Sequence, residues 1–263
     1  MQDQLTLFQQ GVKYLEQHGL NLTAVFDLDQ LPTQIIQAIQ TTSQKPVDVS
    51  RFSRLVMLGN GGKRFWDALA QHHQHHEQRE NPIDTFTLHL TQRFIEDVFT
   101  PIRSSHSLIL YPQPNYSLPL QQLGTLAGWG TPSPIGNSID GTYGLWFAFR
   151  SAFLTSLPVP VTPVDLSPSP CLLCEDKPCQ TACPVRAVRD EAVQFELGTC
   201  IDHRLRAESS CAARCFARLA CPIGREHQYP DWAIEQLYRS SLSAIKTWRD
   251  MERDMKRKGE STT

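Results

Sequence analysis

Eight cysteines lie in one short stretch of this chain, and their clustering indicates metal binding. All of them fall between Cys171 and Cys221, whereas residues 1–170 contain none. Disulfide frameworks belong to small secreted chains and spread their bridges across the fold. This chain has 263 residues, a length that can bury a hydrophobic core without covalent cross-links. The cysteines are therefore interpreted as metal ligands rather than disulfide partners.

The spacing of the cysteines indicates iron–sulfur chemistry. The first group has the pattern C-x2-C-x4-C-x3-C-P and consists of Cys171, Cys174, Cys179 and Cys183. The second group has wider gaps, again ends in Cys-Pro, and consists of Cys200, Cys211, Cys215 and Cys221. The common bacterial run is C-x2-C-x2-C-x3-C-P, in which the fourth cysteine ligates the other of two clusters. The first group differs from that run by two extra residues before its third cysteine.

Exchange of the fourth ligand between the two groups predicts two [4Fe–4S] clusters. Three closely spaced thiolates can surround one face of a cubane cluster, and the following proline turns the chain away because it fixes φ. The predicted ligands of the first cluster are Cys171, Cys174, Cys179 and Cys221. The predicted ligands of the second cluster are Cys183, Cys200, Cys211 and Cys215. Two structural zinc sites are the alternative, since four thiolates also bind zinc, and plain structural or redox thiols are another. The paired Cys-Pro ends favour the clusters.

The chain before the cysteines carries both helix and strand patterns. Helical spacing of apolar residues predicts helices over 4–18, 31–39, 63–73, 81–99 and 118–129. Apolar runs predict strands over 55–58 and 107–112, and one long strand or a hairpin over 143–157. These elements predict an α+β domain.

A proline-rich link at 157–170 separates that domain from the cysteines. The predicted domains are an α+β cofactor- or substrate-binding domain over 1–160, a ferredoxin-like two-cluster module over 161–230, and a C-terminal helix with a charged tail over 231–263.

Composition excludes several classes of protein. With 40% hydrophobic and 20% charged residues, the chain is an ordinary globular protein. No apolar run approaches the roughly 18 residues of a spanning helix, and MQDQLTLFQQ lacks the regions of a secretion signal. The net charge of −2 argues against binding of a polyanion through bulk charge. Together with thiolate ligands, these features predict a cytoplasmic protein without a membrane partner.

Two features of the first domain admit both a structural and a ligand-binding interpretation. Arg150 lies inside the apolar run LWFAFRSAF, where an unpaired charge is costly. It is therefore paired across a strand, located at the solvent face of a strand, or in contact with a ligand anion. The run LGNGG at 58–62 is either a tight turn after a strand or a backbone site for an anion.

The segment 126–155, LAGWGTPSPIGNSIDGTYGLWFAFRSAFLT, resembles the segment that precedes the cysteines in epoxyqueuosine reductases. Its part GLWFAFRSAFL also resembles the GWFAIRG-type stretch of cobalamin-processing proteins of the methylmalonic-aciduria type C family, through Trp146, Phe147, Ala148 and Arg150. Both resemblances imply a nitroreductase-like α+β domain that holds cobalamin. The residues implied in cofactor binding are Gly128, Trp129, Gly130, Gly136, Asn137, Trp146 and Arg150.

The chain also departs from the first family. Epoxyqueuosine reductases carry a catalytic Asp upstream of the Gly-Trp loop, but YPQPNYSLPLQQLGTLAGW here contains no Asp or Glu. Binding of tRNA is therefore not expected, and no catalytic residue is assigned. Tyr143 and Asp140 are proton-donor candidates only by their proximity in sequence.

The predicted function is electron transfer from two [4Fe–4S] clusters to a cofactor in the first domain. Cobalamin is the first choice, with flavin as an alternative, and the partners are a soluble low-potential electron donor and a small-molecule substrate. The chain would then be a cobalamin- or flavin-dependent reductase or a cobalamin-processing protein. The alternative is a ferredoxin-like electron carrier that docks a partner and binds no organic cofactor.

Overall fold

The computed structural model describes residues 2–41, 46–75, 81–100, 102, 105–164, 166–189 and 195–260. The chain forms two compact units. Unit 1 comprises Met1–Thr131 and Trp146–Pro168, and unit 2 comprises Pro132–Leu145 and Ser169–Thr263. The helices are α1 Gln2–Gln17, α2 Thr33–Thr41, α3 Arg64–His75, α4 Pro82–Val98, α5 Leu120–Leu126, α6 Pro178–Thr181, α7 Leu197–Arg204, α8 Phe216–Ala220 and α9 Asp231–Glu260. The strands are β1 Leu22–Asp27, β2 Arg54–Gly61, β3 Ser107–Tyr111, β4 Thr131–Pro132, β5 Ser138–Ile139 and β6 Phe147–Thr155.

Unit 1 is built on a four-stranded antiparallel sheet in the order β1-β2-β6-β3. Strands β2 and β6 occupy the centre, and both are rich in the apolar and aromatic residues that favour buried strands. Helices α1 and α4 pack through aromatic rings. The ring centroids of Phe8 and Phe94 are 5.9 Å apart, and those of Phe94 and Phe153 of β6 are 6.1 Å apart. These ring contacts join the helical layer to the sheet.

The structure refines the element predictions for unit 1. The stretch 143–157 contains a single strand, β6, rather than a hairpin. The run LGNGG is not a turn after a short strand, because β2 continues to Gly61 with a bulge between Leu58 and Gly59. The Asn21 side chain supports this strand end, accepting from Gly61 N–H at 2.8 Å and donating to Gly61 C=O at 3.1 Å.

The first part of the proline-rich link belongs to unit 1. Thr162 N–H donates to the Val25 carbonyl at 3.1 Å, and Val25 N–H donates to Thr162 Oγ1 at 3.0 Å. The Arg54 Nε donates to the Val159 carbonyl at 2.9 Å. These bonds cover the outer edge of β1, so unit 1 extends beyond residue 160, the boundary that the sequence predicts.

Unit 2 has a small apolar core against which the cysteines lie. Ile135, Ile139 and Leu145 are buried together with Val188 and Ala217, and cysteine side chains pack against this cluster. The segment 132–145 therefore belongs with the cysteines, although the sequence predicts it as part of the first domain. Its apolar residues reach their burial only in unit 2.

The predicted C-terminal helix is present as α9, which spans 30 residues. Its first turns bury Ala233 and Ile234, whereas Trp248 and Met251 further along are exposed. Among the described residues, no helix combines the length and the apolar character needed to cross a bilayer.

Gly144→Ala is expected to destabilise the protein by about 2 kcal/mol or more. Gly144 has φ +58°, a left-handed conformation that costs an L-residue about 1–2 kcal/mol, and a Cβ atom there would lie 1.9 Å from the Ile223 carbonyl oxygen. Urea unfolding followed by circular dichroism measures the change. Gly141→Ala is the matched control, because its Cβ would meet no atom within 4 Å, and a change below about 0.5 kcal/mol is expected. Equal effects of the two substitutions would contradict this account.

Candidate metal centres

The charges of Cys221, Cys171 and Cys174 act on Cys179, and we call these four cysteines the first quartet. Cys171 lies in the single turn Pro170–Leu173, with Cys174 directly after it. Cys179 lies in α6, and Cys221 follows α8. Burial, followed by the negative charges of Cys221, Cys171 and Cys174, raises the pKa of Cys179 to about 11. The fourth member thus comes from the second sequence group.

The remaining four cysteines, Cys183, Cys200, Cys211 and Cys215, form a second quartet. Cys200 lies in α7 and Cys215 precedes α8. Cys211, which lies between them in the sequence, is buried. Burial and then the charge of Cys215 raise the pKa of Cys200 to about 11, with smaller contributions from Cys183 and Cys211, while Arg204 opposes the shift. The mutual electrostatic effects of the cysteines follow the predicted division, and their role as the ligands of two clusters stays a prediction.

The local backbone supplies groups that could stabilise bound sulfur. Ala187 N–H donates to Cys183 Sγ at 3.3 Å. Lys177 adopts a left-handed conformation with φ 39°, and Pro178 then opens the short helix that carries Cys179. Phe195 and Ile223 pack on the same apolar cluster as the cysteines. Within the described residues, no three His, Cys, Asp or Glu side chains converge closely enough to hold a single metal ion.

The donor set of each quartet fits an iron–sulfur cluster. Four sulfur atoms are the ligand set of [4Fe–4S] clusters, and also one that zinc accepts. The raised pKa values of Cys179 and Cys200 mean that these thiols stay protonated at neutral pH in the absence of a cation. Each quartet is therefore a desolvated donor set that a multivalent cationic centre would convert to thiolates.

The residues implied in cofactor binding are divided between the two units. Gly128, Trp129, Gly130, Trp146 and Arg150 belong to unit 1, and Gly136 and Asn137 belong to unit 2. Trp129 is buried and stacks on Phe149, with ring centroids 6.2 Å apart. Trp146 is buried as well. Gly128 and Gly130 are partly exposed, and Gly128 has φ 72°. Of the five unit 1 residues in this set, Gly128 and Gly130 are therefore the ones with an accessible backbone.

The unit 2 members of the set lie in a tight turn. Gly136 has φ +80°, and the Asn137 carbonyl accepts from Ser133 N–H at 3.0 Å and from Ser133 Oγ at 2.6 Å. Both Gly136 and Asn137 are exposed. Asp140 Oδ1 accepts from the backbone N–H groups of Thr142 and Tyr143, so this carboxylate stabilises its own turn.

Arg150 is paired across a strand, the first of the three alternatives for this residue. Its Nε donates to Asn60 Oδ1 at 2.6 Å. Its Cζ atom lies 4.6 Å from the ring centroid of Phe65 and 5.4 Å from that of Trp66. Asn60 is in β2, which pairs with β6. Burial raises the pKa of Asp84, and the charge of Arg150 opposes that rise. The buried pair of Arg150 and Asn60 could not be found from the sequence, because the two residues lie far apart along the chain.

No protein-family model and no curated protein matches this chain. Solved structures match it in fold. An epoxyqueuosine reductase with an epoxyqueuosine-modified tRNA-Tyr stem loop has a TM-score of 0.56 and 11% identity, and the match covers 88% of this chain and 69% of that chain. The catabolic reductive dehalogenase NpRdhA with 3-bromo-4-hydroxybenzoic acid has a TM-score of 0.52 and 14% identity, covering 93% and 35%. The Caenorhabditis elegans (C. elegans) B12-trafficking protein CblC has a TM-score of 0.49 and 13% identity, covering 91% and 97%.

These matches confirm the predicted resemblance to epoxyqueuosine reductases at the level of the fold, a mixed α/β architecture with a four-stranded antiparallel sheet. The tRNA stem loop is a ligand of that protein. The expectation that tRNA is not a partner of the present chain gains no support from this likeness.

In the metal-free protein, Cys179 and Cys200 are expected to react slowly with iodoacetamide near pH 8. The thiolate is the nucleophile, and burial raises the pKa of both thiols to about 11. Since metal ligation requires their deprotonation, metal affinity should rise as the pH increases toward 11. Timed alkylation with peptide mass spectrometry measures the rates, with free cysteine as the internal standard. Reaction of both residues as fast as free cysteine would contradict the burial.

Proposed function

We propose that this chain is an iron–sulfur redox protein in which each quartet holds one [4Fe–4S] cluster. The observation that carries the proposal is the grouping of the eight thiols. Cys221 joins three cysteines of the first sequence group, and Cys183 joins three of the second. This exchange of fourth ligands is the arrangement of two-cluster bacterial proteins.

The residues of unit 2 have separate tasks in this proposal. The eight cysteines would ligate iron as thiolates. The apolar cluster of Ile135, Ile139, Leu145 and Val188 would limit the access of water to five of them, Cys171, Cys179, Cys183, Cys215 and Cys221. Ala187 N–H donates to the sulfur of Cys183, a type of contact that tunes reduction potential. When bound, such clusters supply one-electron transfer at potentials between roughly −700 and +450 mV.

Cobalamin is the proposed electron acceptor, in a reductase or a cobalamin-processing role. The support is the fold shared with epoxyqueuosine reductase and a reductive dehalogenase, together with the accessible glycines Gly128 and Gly130 of unit 1. Backbone without Cβ atoms allows close approach of a large ring system. Trp129, Trp146 and Arg150 act in this proposal by holding the surrounding packing, since all three are buried. An electron carrier without an organic cofactor is the second candidate. The two quartets would hold the same two clusters in such a carrier.

Anaerobic reconstitution with iron and sulfide tests the clusters. The expected content is about eight iron and about eight acid-labile sulfide ions per chain, with a paramagnetic signal after reduction by dithionite. Cys179→Ser and Cys215→Ser should each remove about half of the iron, because they belong to different quartets. Ser240→Ala, which changes an exposed serine of α9 and keeps all eight cysteines, serves as the control. Uptake of about two zinc ions without sulfide would overturn the proposal in favour of structural zinc sites.

Titration of the reconstituted protein with cob(II)alamin tests the acceptor. Binding at micromolar concentrations with a changed axial-ligand signal in the electron paramagnetic resonance spectrum is expected. Addition of a low-potential donor should then produce cob(I)alamin absorbance. Absence of binding at high micromolar ligand would remove cobalamin, and a parallel titration with flavin would separate a flavoprotein from a simple electron carrier.

A further inference from the structure

Arg204 is a buried cation beside the second quartet. It is the last residue of α7 and is 8% exposed, and the other buried arginine among the described residues, Arg150, lies in unit 1. Its Nε donates to the Cys211 carbonyl at 3.4 Å. The charge of Arg204 acts on both Cys200 and Cys211. The guanidinium therefore lies within the electrostatic reach of two members of the quartet.

The hydrogen-bond partners of Arg204 do not neutralise it. Besides the Cys211 carbonyl, Nη2 donates to the Tyr238 carbonyl at 2.9 Å and Nη1 donates to Ser241 Oγ at 3.2 Å. The guanidinium also lies 5.2 Å from the centre of the Tyr238 ring. Among the described residues, no carboxylate forms an ion pair with Arg204. A buried charge without a counter-charge is costly in free energy. An anionic group at the quartet would supply the counter-charge for Arg204.

We propose that Arg204 is the charge partner of the second quartet and raises the reduction potential of a cluster held there. This inference rests on the proposed function. A cluster with four thiolate ligands gains one negative charge when it accepts one electron from a low-potential donor such as dithionite. A nearby cation in a low-dielectric site stabilises the more negative state, so it favours reduction.

Beside the first quartet, the described residues include no buried arginine or lysine. The cations that act on Cys171 and Cys221 are Lys177, which is partly exposed, and Arg225, which is exposed. Water and salt screen such charges far more than buried ones. The second quartet is therefore the site of higher potential, and electrons that enter at the first quartet would pass to the second.

A redox titration of the reconstituted full chain tests this role. Dithionite with mediators, followed by electron paramagnetic resonance, should resolve two one-electron steps in the unmodified protein. Arg204→Gln should lower the equilibrium constant of the higher-potential step at least about tenfold, which corresponds to about 59 mV, and leave the lower step unchanged. Arg204→Lys, which keeps the charge, should retain most of the original potential. An unshifted upper step in Arg204→Gln would overturn the inference.

A second variant keeps the test decisive if Arg204→Gln fails to fold or to bind iron. Ser241→Asp places a carboxylate against Arg204 from the exposed surface of α9, so it should also lower the upper potential. Ser240→Asp is the matched control, since it adds the same charge at the neighbouring exposed position without contacting Arg204. Equal potentials in these two variants would contradict the role of Arg204. Failure of the unmodified chain to take up iron and sulfide would instead overturn the proposed function.

Discussion

Four thiolates cannot be buried side by side without a compensating positive centre, and unit 2 is organised around this electrostatic constraint. Burial raises the pKa of Cys179 and Cys200 to about 11, and neighbouring cysteines raise it as well. Apolar packing from Ile135, Ile139 and Leu145 holds Cys179 and four further cysteines, Cys171, Cys183, Cys215 and Cys221. The segment that contributes these side chains is distant in sequence from most of the cysteines it supports.

Unit 1 also contains a buried charge, which its neighbours stabilise in a different way. Its buried cation, Arg150, is held by the Asn60 amide oxygen and by the faces of two aromatic rings. Arg204 in unit 2 is held by carbonyls and a hydroxyl beside a set of cysteines. Both arginines have neutral hydrogen-bond acceptors, but only Arg204 lies beside groups that become anionic when they bind a metal. The chemical setting, rather than burial itself, separates the structural cation from the proposed redox-tuning one.

The similarity of fold and the arrangement of the cysteines are two independent observations behind the proposed iron–sulfur redox function. The mixed α/β architecture is shared with an epoxyqueuosine reductase and a reductive dehalogenase at identities of 11% and 14%. The grouping of the cysteines depends on no comparison, because it rests on their spacing and on their mutual electrostatic effects in this chain. A fold with a sheet-based unit and a cysteine-rich unit can hold an electron acceptor and an electron source in one chain.

The sequence by itself determined the local features whose cause lies within a few residues. Apolar periodicity predicted helices such as α1 and α4, whereas the exchange of Cys221 and Cys183 between two clusters stays a prediction. Tertiary structure alone decided the partner of Arg150, the assignment of 132–145 to unit 2, and the burial of Arg204 beside Cys211. These features join residues that are distant along the chain or depend on burial, and neither pairing nor desolvation is encoded in local spacing.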